Sequence, residues 1–263
     1  MLSAAFVPIF DELSDPAVVA RLAALAEEHG WDGFFVWDHV GYRTPVEAIA
    51  DPWVTLAAIA CATSTIRIGP MVTPVPRRRP AKLARETATL DVLSGGRLTL
   101  GVGIANGDEL PQTGEELDAK VRGRMLDEAL EILVAAWSGE TVTHRGEHYV
   151  VDGIRFLPTP VQRPGIPVWA AARYGNRAPL RRAARHEGVF PIGVTEPAQL
   201  AEVVAAVAED RARTDRFDVI VGGPPGTDPA GFEQAGATWW AMSFPITSTA
   251  DRVEGVLREG PVR

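Results

Sequence analysis

An acid and an imidazole stand side by side at the end of a short apolar run, and these are the residues of the chain best suited to chemistry. Gly33-Phe34-Phe35-Val36-Trp37 leads directly into Asp38-His39. An uninterrupted apolar run of this length is typical of a parallel strand that is buried on both faces. Parallel sheets and barrels place their reactive groups at the carboxyl ends of such strands. Asp38 and His39 are therefore candidate catalytic residues, with a loop-capping role as the alternative.

The composition limits the kind of protein. The chain has 263 residues, of which 46% are hydrophobic, so it can bury a sizeable core in one large α/β domain or two smaller ones. Its net charge of −8 argues against nucleic-acid binding. No apolar run reaches the roughly 20 residues that span a bilayer, and the N-terminus lacks a signal-peptide pattern, so we expect a cytoplasmic protein. Cys61, the one cysteine, lies in an apolar helical stretch, and we expect it to be buried as a small hydrophobic residue.

Eight apolar strand-like runs alternate with eight helical stretches. Strands are predicted at residues 3–8, 33–37, 66–73, 97–102, 168–172, 189–192, 218–221 and 238–244. Helices are predicted at 15–28, 51–62, 80–93, 117–137, 177–185, 197–211, 229–234 and 250–258. This alternation predicts a parallel sheet, and its length favours an α/β fold of one domain over residues 1–263, a (β/α)8 TIM barrel. A doubly wound open sheet is the alternative, but no Gly-x-Gly-x-x-Gly turn follows the first strand.

Residues 141–162 break the alternation. Arg145-Gly146-Glu147 lies between two short runs with β propensity, which predicts a β-hairpin that turns at Gly146, before the fifth strand. His144 and His148 have a spacing that metal ligands also use, but no third ligand is close in sequence, so no metal site is expected.

Three arginines, Arg77-Arg78-Arg79, directly precede the helix that is predicted to begin at Pro80. Positive charge at a helix N-terminus opposes the helix dipole. An anionic ligand, nearby acidic side chains or simple solvation would each compensate, and the sequence leaves all three open.

The order and spacing of several segments resemble the luciferase-like monooxygenase family, which includes bacterial luciferase, alkanesulfonate monooxygenases and deazaflavin-dependent relatives. The resemblance covers residues 6–192, and the rest of the chain matches weakly. The matching segments are residues 32–39, 51–53, 66–74, 90–103, 124–130 and 158–162.

The resemblance implies a barrel that binds a flavin at the carboxyl ends of its strands. We expect a flavin-dependent oxidoreductase, a monooxygenase that uses reduced FMN and oxygen on a small organic substrate. A separate flavin reductase and a second copy of the chain, in a homodimer, are the expected partners. A deazaflavin-dependent hydride transfer and a flavin-binding protein without turnover are the alternatives. A metal-dependent or sugar-processing barrel is disfavoured by the poor set of ligands.

The resemblance also implies roles for individual residues. His39 handles protons beside a substrate pocket that includes Phe6 and Trp37, and Asp38 either orients His39 or caps the loop. The residues implied in cofactor binding are Met71, Val72 and Thr73 against the ring, with a backbone distortion; Gly103 and Asn106 at the end of the fourth strand; and Gly175, Asn176 and Arg177 around the phosphate. Luciferases carry an arginine where Ile104 aligns in this chain.

Overall fold

The computed structural model of the chain describes residues 1–105 and 109–262. The strands in these residues are β1 (Leu2–Val7), β2 (Gly33–Val36), β3 (Arg67–Pro70), β4 (Thr73–Pro74), β5 (Leu100–Gly103), β6 (Thr141–Arg145), β7 (Val150–Arg155), β8 (Val168–Arg173), β9 (Gly188–Ile192), β10 (Asp218–Gly223) and β11 (Trp239–Ser243). The α-helices are α1 (Pro16–Glu28), α2 (Pro52–Ala62), α3 (Pro80–Leu93), α4 (Glu109–Gln112), α5 (Ala119–Trp137), α6 (Arg177–Ala183), α7 (Pro197–Asp210), α8 (Ala230–Gln234) and α9 (Ala250–Glu259). Short 3-10 helices cover Asp11–Ser14 and Val75–Arg77.

The main sheet is parallel and nearly closes on itself, in the order β3-β2-β1-β11-β10-β9-β8-β5-β4. Its two outer strands, β3 and β4, are consecutive halves of one barrel strand. A bridge between Ile68 and Leu98 joins β3 to the segment that leads into β5. The predicted (β/α)8 barrel is therefore confirmed. The β6–β7 hairpin, which precedes the fifth barrel strand β8, is also present.

Two predicted strands differ in detail. The strand predicted at 66–73 is divided at Met71 and Val72, and the peptide bond between these residues is cis. The strand predicted at 97–102 begins only at Leu100. Arg97 instead donates side-chain hydrogen bonds to the carbonyl groups of Ala60 (2.9 Å) and Ile66 (3.0 Å), which fastens the chain entering β5 to the end of α2 and the start of β3.

Aromatic side chains pack the interior of the barrel. Phe35, Trp169 and Trp239 are buried, and their ring centroids lie 5.3 Å apart for Phe35–Trp169 and 5.4 Å apart for Trp169–Trp239. A larger apolar cluster fills the layer between the strands and the surrounding helices. Because side chains from alternating strands occupy a barrel interior, this packing forms a floor beneath the carboxyl ends of the strands.

Helix α2 carries apolar residues on its outer face as well as its inner face. Val54 is 62% exposed and Cys61 is exposed. The expectation that Cys61 is buried is therefore wrong, because apolar neighbours in sequence do not place a residue on the inner face of a helix. None of the helices in the described residues combines the length and the apolar character that crossing a membrane requires.

Candidate active site

A cavity of about 640 Å³ lies above the aromatic floor, at the carboxyl ends of the barrel strands. Every barrel strand, or the loop directly after it, contributes to its lining. This is where parallel barrels place their ligands, because the loops that follow the strands meet there. The lining includes Phe6, Trp37, Met71, Ala171, Phe190 and Ser243.

His39 lines this cavity and is paired with a carboxylate that is distant in sequence. Its Nδ1 lies 3.3 Å from Oε1 of Glu109, the first residue of α4. The side chain of Glu109 is only 6% exposed, whereas that of His39 is 27% exposed. The pair therefore offers a partly accessible imidazole that is supported from behind by a buried acid.

Several groups hold Glu109 in place. Its Oε1 lies 3.0 Å from Nη2 of Arg77, and its Oε2 accepts hydrogen bonds from the backbone N–H groups of Val40 (3.2 Å) and Gly41 (3.3 Å). Burial raises the pKa of Glu109, but the interactions with His39 and Arg77 outweigh burial and lower that pKa to about 2. Glu109 is therefore ionised at neutral pH. With the proton of His39 on Nδ1, facing this carboxylate, Nε2 remains as the proton acceptor.

Asp38 points to a different partner. Its Oδ2 accepts hydrogen bonds from Nη2 of Arg78 (2.8 Å) and from the hydroxyl of Thr73 (2.9 Å). Burial raises the pKa of Asp38, and the charge of Arg78 offsets part of this effect. In the described residues no hydrogen bond joins Asp38 to His39, and Glu109 has the orienting position that the sequence left open for Asp38. Asp38 does line the cavity, where it is 3% exposed.

The arginine run before α3 is neutralised mainly by acids. Arg77 pairs with Glu109 and also with Glu115, whose Oε1 lies 2.7 Å from its Nε. Arg78 pairs with Asp38, and Arg79 is exposed. Of the three compensations that the sequence left open, nearby acidic side chains therefore apply to Arg77 and Arg78, and solvation applies to Arg79.

Four aromatic rings form a connected group beside His39. The ring of Trp37 lies 5.4 Å from that of Phe6, and the ring of Tyr42 lies 5.0 Å from that of His39. Phe10 packs behind them, 5.7 Å from Trp37. Phe6, Trp37 and Tyr42 all line the cavity, so the two aromatic residues predicted at the substrate pocket lie together beside His39.

The segments predicted to contact a cofactor ring lie along one side of the cavity. Met71, Val72 and Gly103 line it, together with Ile104. Thr73 is fully buried and turns its hydroxyl to Asp38 instead. Asn106, predicted to line the ring as well, lies outside the described residues.

Gly103 is close to Val72, which lies at the break between β3 and β4. A Cβ added to Gly103 would lie 2.7 Å from Cγ2 of Val72, a contact too short to accommodate without movement. The small residue at this position therefore admits the Val72 side chain next to β5.

The loop between β8 and α6 supplies the polar lip of the cavity. Arg173 and Asn176 line the cavity, and Gly175 between them has a φ of +83°, a conformation that favours glycine. The Asn176 side chain accepts a hydrogen bond from the N–H of Ala178 (3.3 Å), which caps α6. Gly175 itself is outside the lining.

Arg177 is directed elsewhere. Its Nη2 lies 2.7 Å from Oε2 of Glu209 and 3.6 Å from Oδ2 of Asp210, both at the end of α7. Arg173, by contrast, makes neither a hydrogen bond nor an ion pair through its side chain within the described residues. Among the described residues, the arginine of the cavity lining whose side chain has no partner is thus Arg173, four residues before the predicted one.

Two further arginines in the lining are already bonded. Nε of Arg122 donates to the carbonyl of Ile104 (2.8 Å), and Nε of Arg182 donates to Asp127 (2.8 Å). In the described residues no group of three potential metal ligands is present. His144 contacts Glu128 at 3.0 Å, which ties the hairpin to α5.

Glu109, Tyr42 and Arg173 are the site residues that sequence reasoning missed or passed over. The segment that contains Glu109 follows the end of β5, just as His39 follows the end of β2. The position of an acid after a barrel strand was a signal for Glu109, but the sequence does not show that its partner is 70 residues away.

Comparisons with known proteins find related sequences over most of the chain. The family model described as luciferase-like monooxygenase matches residues 6–230. The F420-dependent glucose-6-phosphate dehydrogenase of Beutenbergia cavernae is 31% identical over 263 residues, which cover 94% of this chain and 74% of that protein. The enzyme of the same name from Nocardia farcinica is 34% identical over 183 residues, but the match covers only 51% of its length. An uncharacterised protein of Mycobacterium tuberculosis is 35% identical over 217 residues, 73% of this chain and 74% of that protein.

Solved structures share the whole fold. The coenzyme F420-dependent tetrahydromethanopterin reductase of Methanopyrus kandleri superposes with a TM-score of 0.80 at 18% identity, covering 98% of both chains. An F420-dependent secondary alcohol dehydrogenase gives a TM-score of 0.82 at 18% identity and covers 98% of this chain and 97% of its own. A monooxygenase of Streptomyces bottropensis gives 0.75 at 21% identity, with 98% of both chains covered. At these identities the likeness shows the barrel fold.

Proposed function

Because the chain belongs to the luciferase-like monooxygenase family, whose members are flavin- or F420-dependent oxidoreductases, we propose that it exchanges a hydride between the deazaflavin coenzyme F420 and a small alcohol or carbonyl compound. The chain is an enzyme of the oxidoreductase class. The identity of 31–35% to several F420-dependent dehydrogenases supports the deazaflavin over FMN.

The observation that carries the proposal is the His39–Glu109 pair at the cavity. Oxidation of an alcohol requires a group that accepts the hydroxyl proton, and an imidazole supported by a fixed carboxylate suits this role. The 3.3 Å contact between the two side chains, with Glu109 ionised, provides that arrangement.

The residues at the cavity fit a planar coenzyme that carries a phosphate. Met71, Val72 and Ile104 offer an apolar wall to a ring system. Arg173, which has no side-chain partner in the described residues, offers charge-assisted hydrogen bonds to a phosphate, with Asn176 beside it. These five residues are the ones that would hold the coenzyme.

The chain's own groups then perform the proton transfer. When bound, the coenzyme supplies the acceptor for a hydride from the carbon that bears the hydroxyl group. Nε2 of His39 takes the hydroxyl proton, while Nδ1 remains against Glu109. The carboxylate stabilises the imidazolium that forms, as an acid behind a catalytic histidine does in other enzymes. In the reverse direction the imidazolium returns a proton to the carbonyl oxygen.

A monooxygenase that uses reduced FMN is the second candidate. The aromatic floor of the cavity and the aromatic rings beside His39 favour this candidate, because oxygen chemistry on a reduced flavin benefits from the exclusion of water. It would need reduced FMN from a separate reductase as its partner. Ile104, which stands where luciferases carry an arginine, counts against this candidate.

A binding titration separates the candidates. The purified protein is titrated with F420, FMN and reduced FMN, and binding is followed by fluorescence. We expect F420 to bind at least about tenfold more tightly than either form of FMN, which corresponds to about 1.4 kcal/mol. Tighter binding of reduced FMN, together with turnover that depends on oxygen, would overturn the proposal in favour of the monooxygenase.

His39→Ala distinguishes a catalyst from a flavin-binding protein without turnover. We expect this variant to bind F420 normally and to lose alcohol oxidation. His29→Ala is the matched control, because His29 lies at the end of α1 and outside the cavity lining. Normal F420 binding with no turnover by the unchanged protein on any alcohol or carbonyl compound would support the non-catalytic alternative.

A further inference from the structure

One wall of the cavity has no part in the proton pair or in the residues that would hold the coenzyme. It consists of Phe6, Trp37, Tyr42 and Phe190, which we call the aromatic wall. The ring of Phe6 lies 5.4 Å from Trp37 and 5.9 Å, edge to face, from Phe190. Tyr42 lies 5.0 Å from His39. A molecule whose reacting carbon is near His39 therefore contacts these rings.

The charges around His39 disfavour an anionic molecule. Glu109 is ionised and lies 3.3 Å from His39, and Asp38 also belongs to the lining. The cations that compensate these acids, Arg77 and Arg78, are outside the lining and point to the acids. A phosphate placed beside His39 would lose its hydration and find both carboxylates already paired with arginines, with no unpaired cation among the described lining residues next to His39 to bind it.

The arginines in the described part of the lining do not offer a phosphate an unpaired guanidinium beside His39. Arg122 donates to the carbonyl groups of Ile104 and Glu116, and Arg182 is paired with Asp127. Arg173 has no side-chain partner among the described residues, but it belongs to β8, which lies three barrel strands away from β2 around the sheet. In the proposed function Arg173 is also engaged by the coenzyme phosphate.

We propose that the aromatic wall selects an uncharged, predominantly apolar alcohol, or the matching carbonyl compound, and rejects sugar phosphates. This inference rests on the proposed hydride transfer and names the class of its substrate. In the reaction, the C–H bond of the carbinol carbon breaks and its hydride passes to the deazaflavin. The O–H proton passes to His39 Nε2, and the carbon–oxygen double bond forms. The four rings supply apolar contact area on which a cyclic or branched hydrocarbon skeleton packs.

Three compounds separate charge from polarity. Cyclohexanol is uncharged and apolar, glucose is uncharged and polar, and glucose 6-phosphate, the substrate in the name of several relatives, is charged. With F420 present, we expect kcat/KM for cyclohexanol to exceed that for glucose 6-phosphate at least 100-fold. A higher kcat/KM for glucose 6-phosphate would overturn the inference and leave the F420-dependent hydride transfer intact.

Binding without the coenzyme provides a second readout. Calorimetric titration of the protein alone with cyclohexanone and with glucose 6-phosphate measures the preference of the wall directly. We expect heat of binding from cyclohexanone only. Binding of glucose 6-phosphate, or no binding of cyclohexanone up to its solubility, would overturn the inference. Failure of F420 to bind would instead overturn the proposed function, and the calorimetry would still decide the preference of the wall.

A pair of matched variants tests the wall itself. Phe190→Leu removes an aromatic ring from the wall, whereas Phe217→Leu removes a half-buried ring that packs under Arg211 outside the cavity. We expect Phe190→Leu to raise the KM for cyclohexanol 3- to 10-fold with little change in kcat or in F420 affinity. We expect Phe217→Leu to leave all three unchanged. Equal effects of the two changes, or no effect of Phe190→Leu, would contradict the role of the wall.

Discussion

The two sides of the cavity mouth differ in whether their charged side chains are paired within the chain. On the side that follows β2 to β5, the titratable side chains have partners from the chain itself: His39 faces Glu109, Glu109 faces Arg77, and Asp38 faces Arg78. On the side that follows β8, Arg173 has no such partner in the described residues. The first side needs no ion from solution to balance its charged groups, which suits the proton transfer proposed for it. The second is suited to an anion that arrives from solution.

The largest effect is expected where the paired side carries out chemistry. His39→Asn should lower kcat for alcohol oxidation by about 10²- to 10⁴-fold, because the general base is lost, while the Kd for F420 changes little. Glu109→Gln should lower kcat by a smaller factor, since the imidazole remains but loses the charge that stabilises its protonated form. Steady-state kinetics beside a binding titration measures both quantities. Wild-type kcat in His39→Asn would remove this residue from the chemistry.

The next effect concerns stability on the same side. Arg78→Met leaves the buried carboxyl of Asp38 without its cation, and we expect the free energy of unfolding to fall by about 3 kcal/mol. The double change Asp38→Asn with Arg78→Met should recover part of that loss, because no charge then remains unpaired. Urea denaturation measures the free energies. Additive losses in the double variant would show that the two side chains act independently.

The opposite side gives a smaller effect on coenzyme binding. Arg173→Ala should weaken F420 binding by about 10- to 100-fold, as expected from the loss of a charge-assisted hydrogen bond. Arg177→Ala is the matched control, because Glu209 and Asp210 already hold that guanidinium. We expect its F420 affinity to change less than about twofold. The reverse ranking in a fluorescence titration would assign the phosphate to Arg177, as the sequence predicted.

The smallest effect is a dependence on pH that separates the two acids. The pKa of Glu109 is about 2 in the folded chain against an ordinary 4.5. Its contribution to stability is thus fully present above pH 4.5 and is lost as the pH falls toward 2. The pKa of Asp38 is raised by burial, with Arg78 in opposition, so its ionisation opposes folding and its protonation relieves this at lower pH.

Urea denaturation at about pH 5 and about pH 3 tests this difference. Glu109→Gln should reduce the loss of unfolding free energy between these values by on the order of 1 kcal/mol. Asp38→Asn should leave the loss unchanged or make it steeper. An equal flattening in both variants would contradict the opposite directions of the two pKa shifts.

The barrel fold could be predicted from the sequence, because alternating apolar runs and helix signals are local features. His39 could be predicted as a site residue for the same reason, because it follows a buried strand directly. The partner of His39 could not be predicted, because contact between His39 and Glu109 depends on how β2 and β5 are arranged around the barrel. Adjacency in sequence favoured Asp38 instead, and only the fold shows that Arg78 and Thr73 hold that acid.

The choice between two arginines illustrates the same limit. Arg173 and Arg177 flank one glycine turn and have equal chemistry. The acidic end of α7 holds Arg177, and α7 begins twenty residues later in the chain. The prediction that Cys61 is buried was wrong for a related reason. Composition describes a helix as a whole and does not tell which of its faces is covered.

The exposed thiol of Cys61 has a practical consequence. It is the one cysteine of the chain, so a maleimide reagent would attach a single group to each molecule. Cys61 is the penultimate residue of α2, which runs back from the cavity mouth towards the start of β3. A surface that captures the chain through this thiol would hold every molecule in one orientation, with the barrel mouth turned towards the solution.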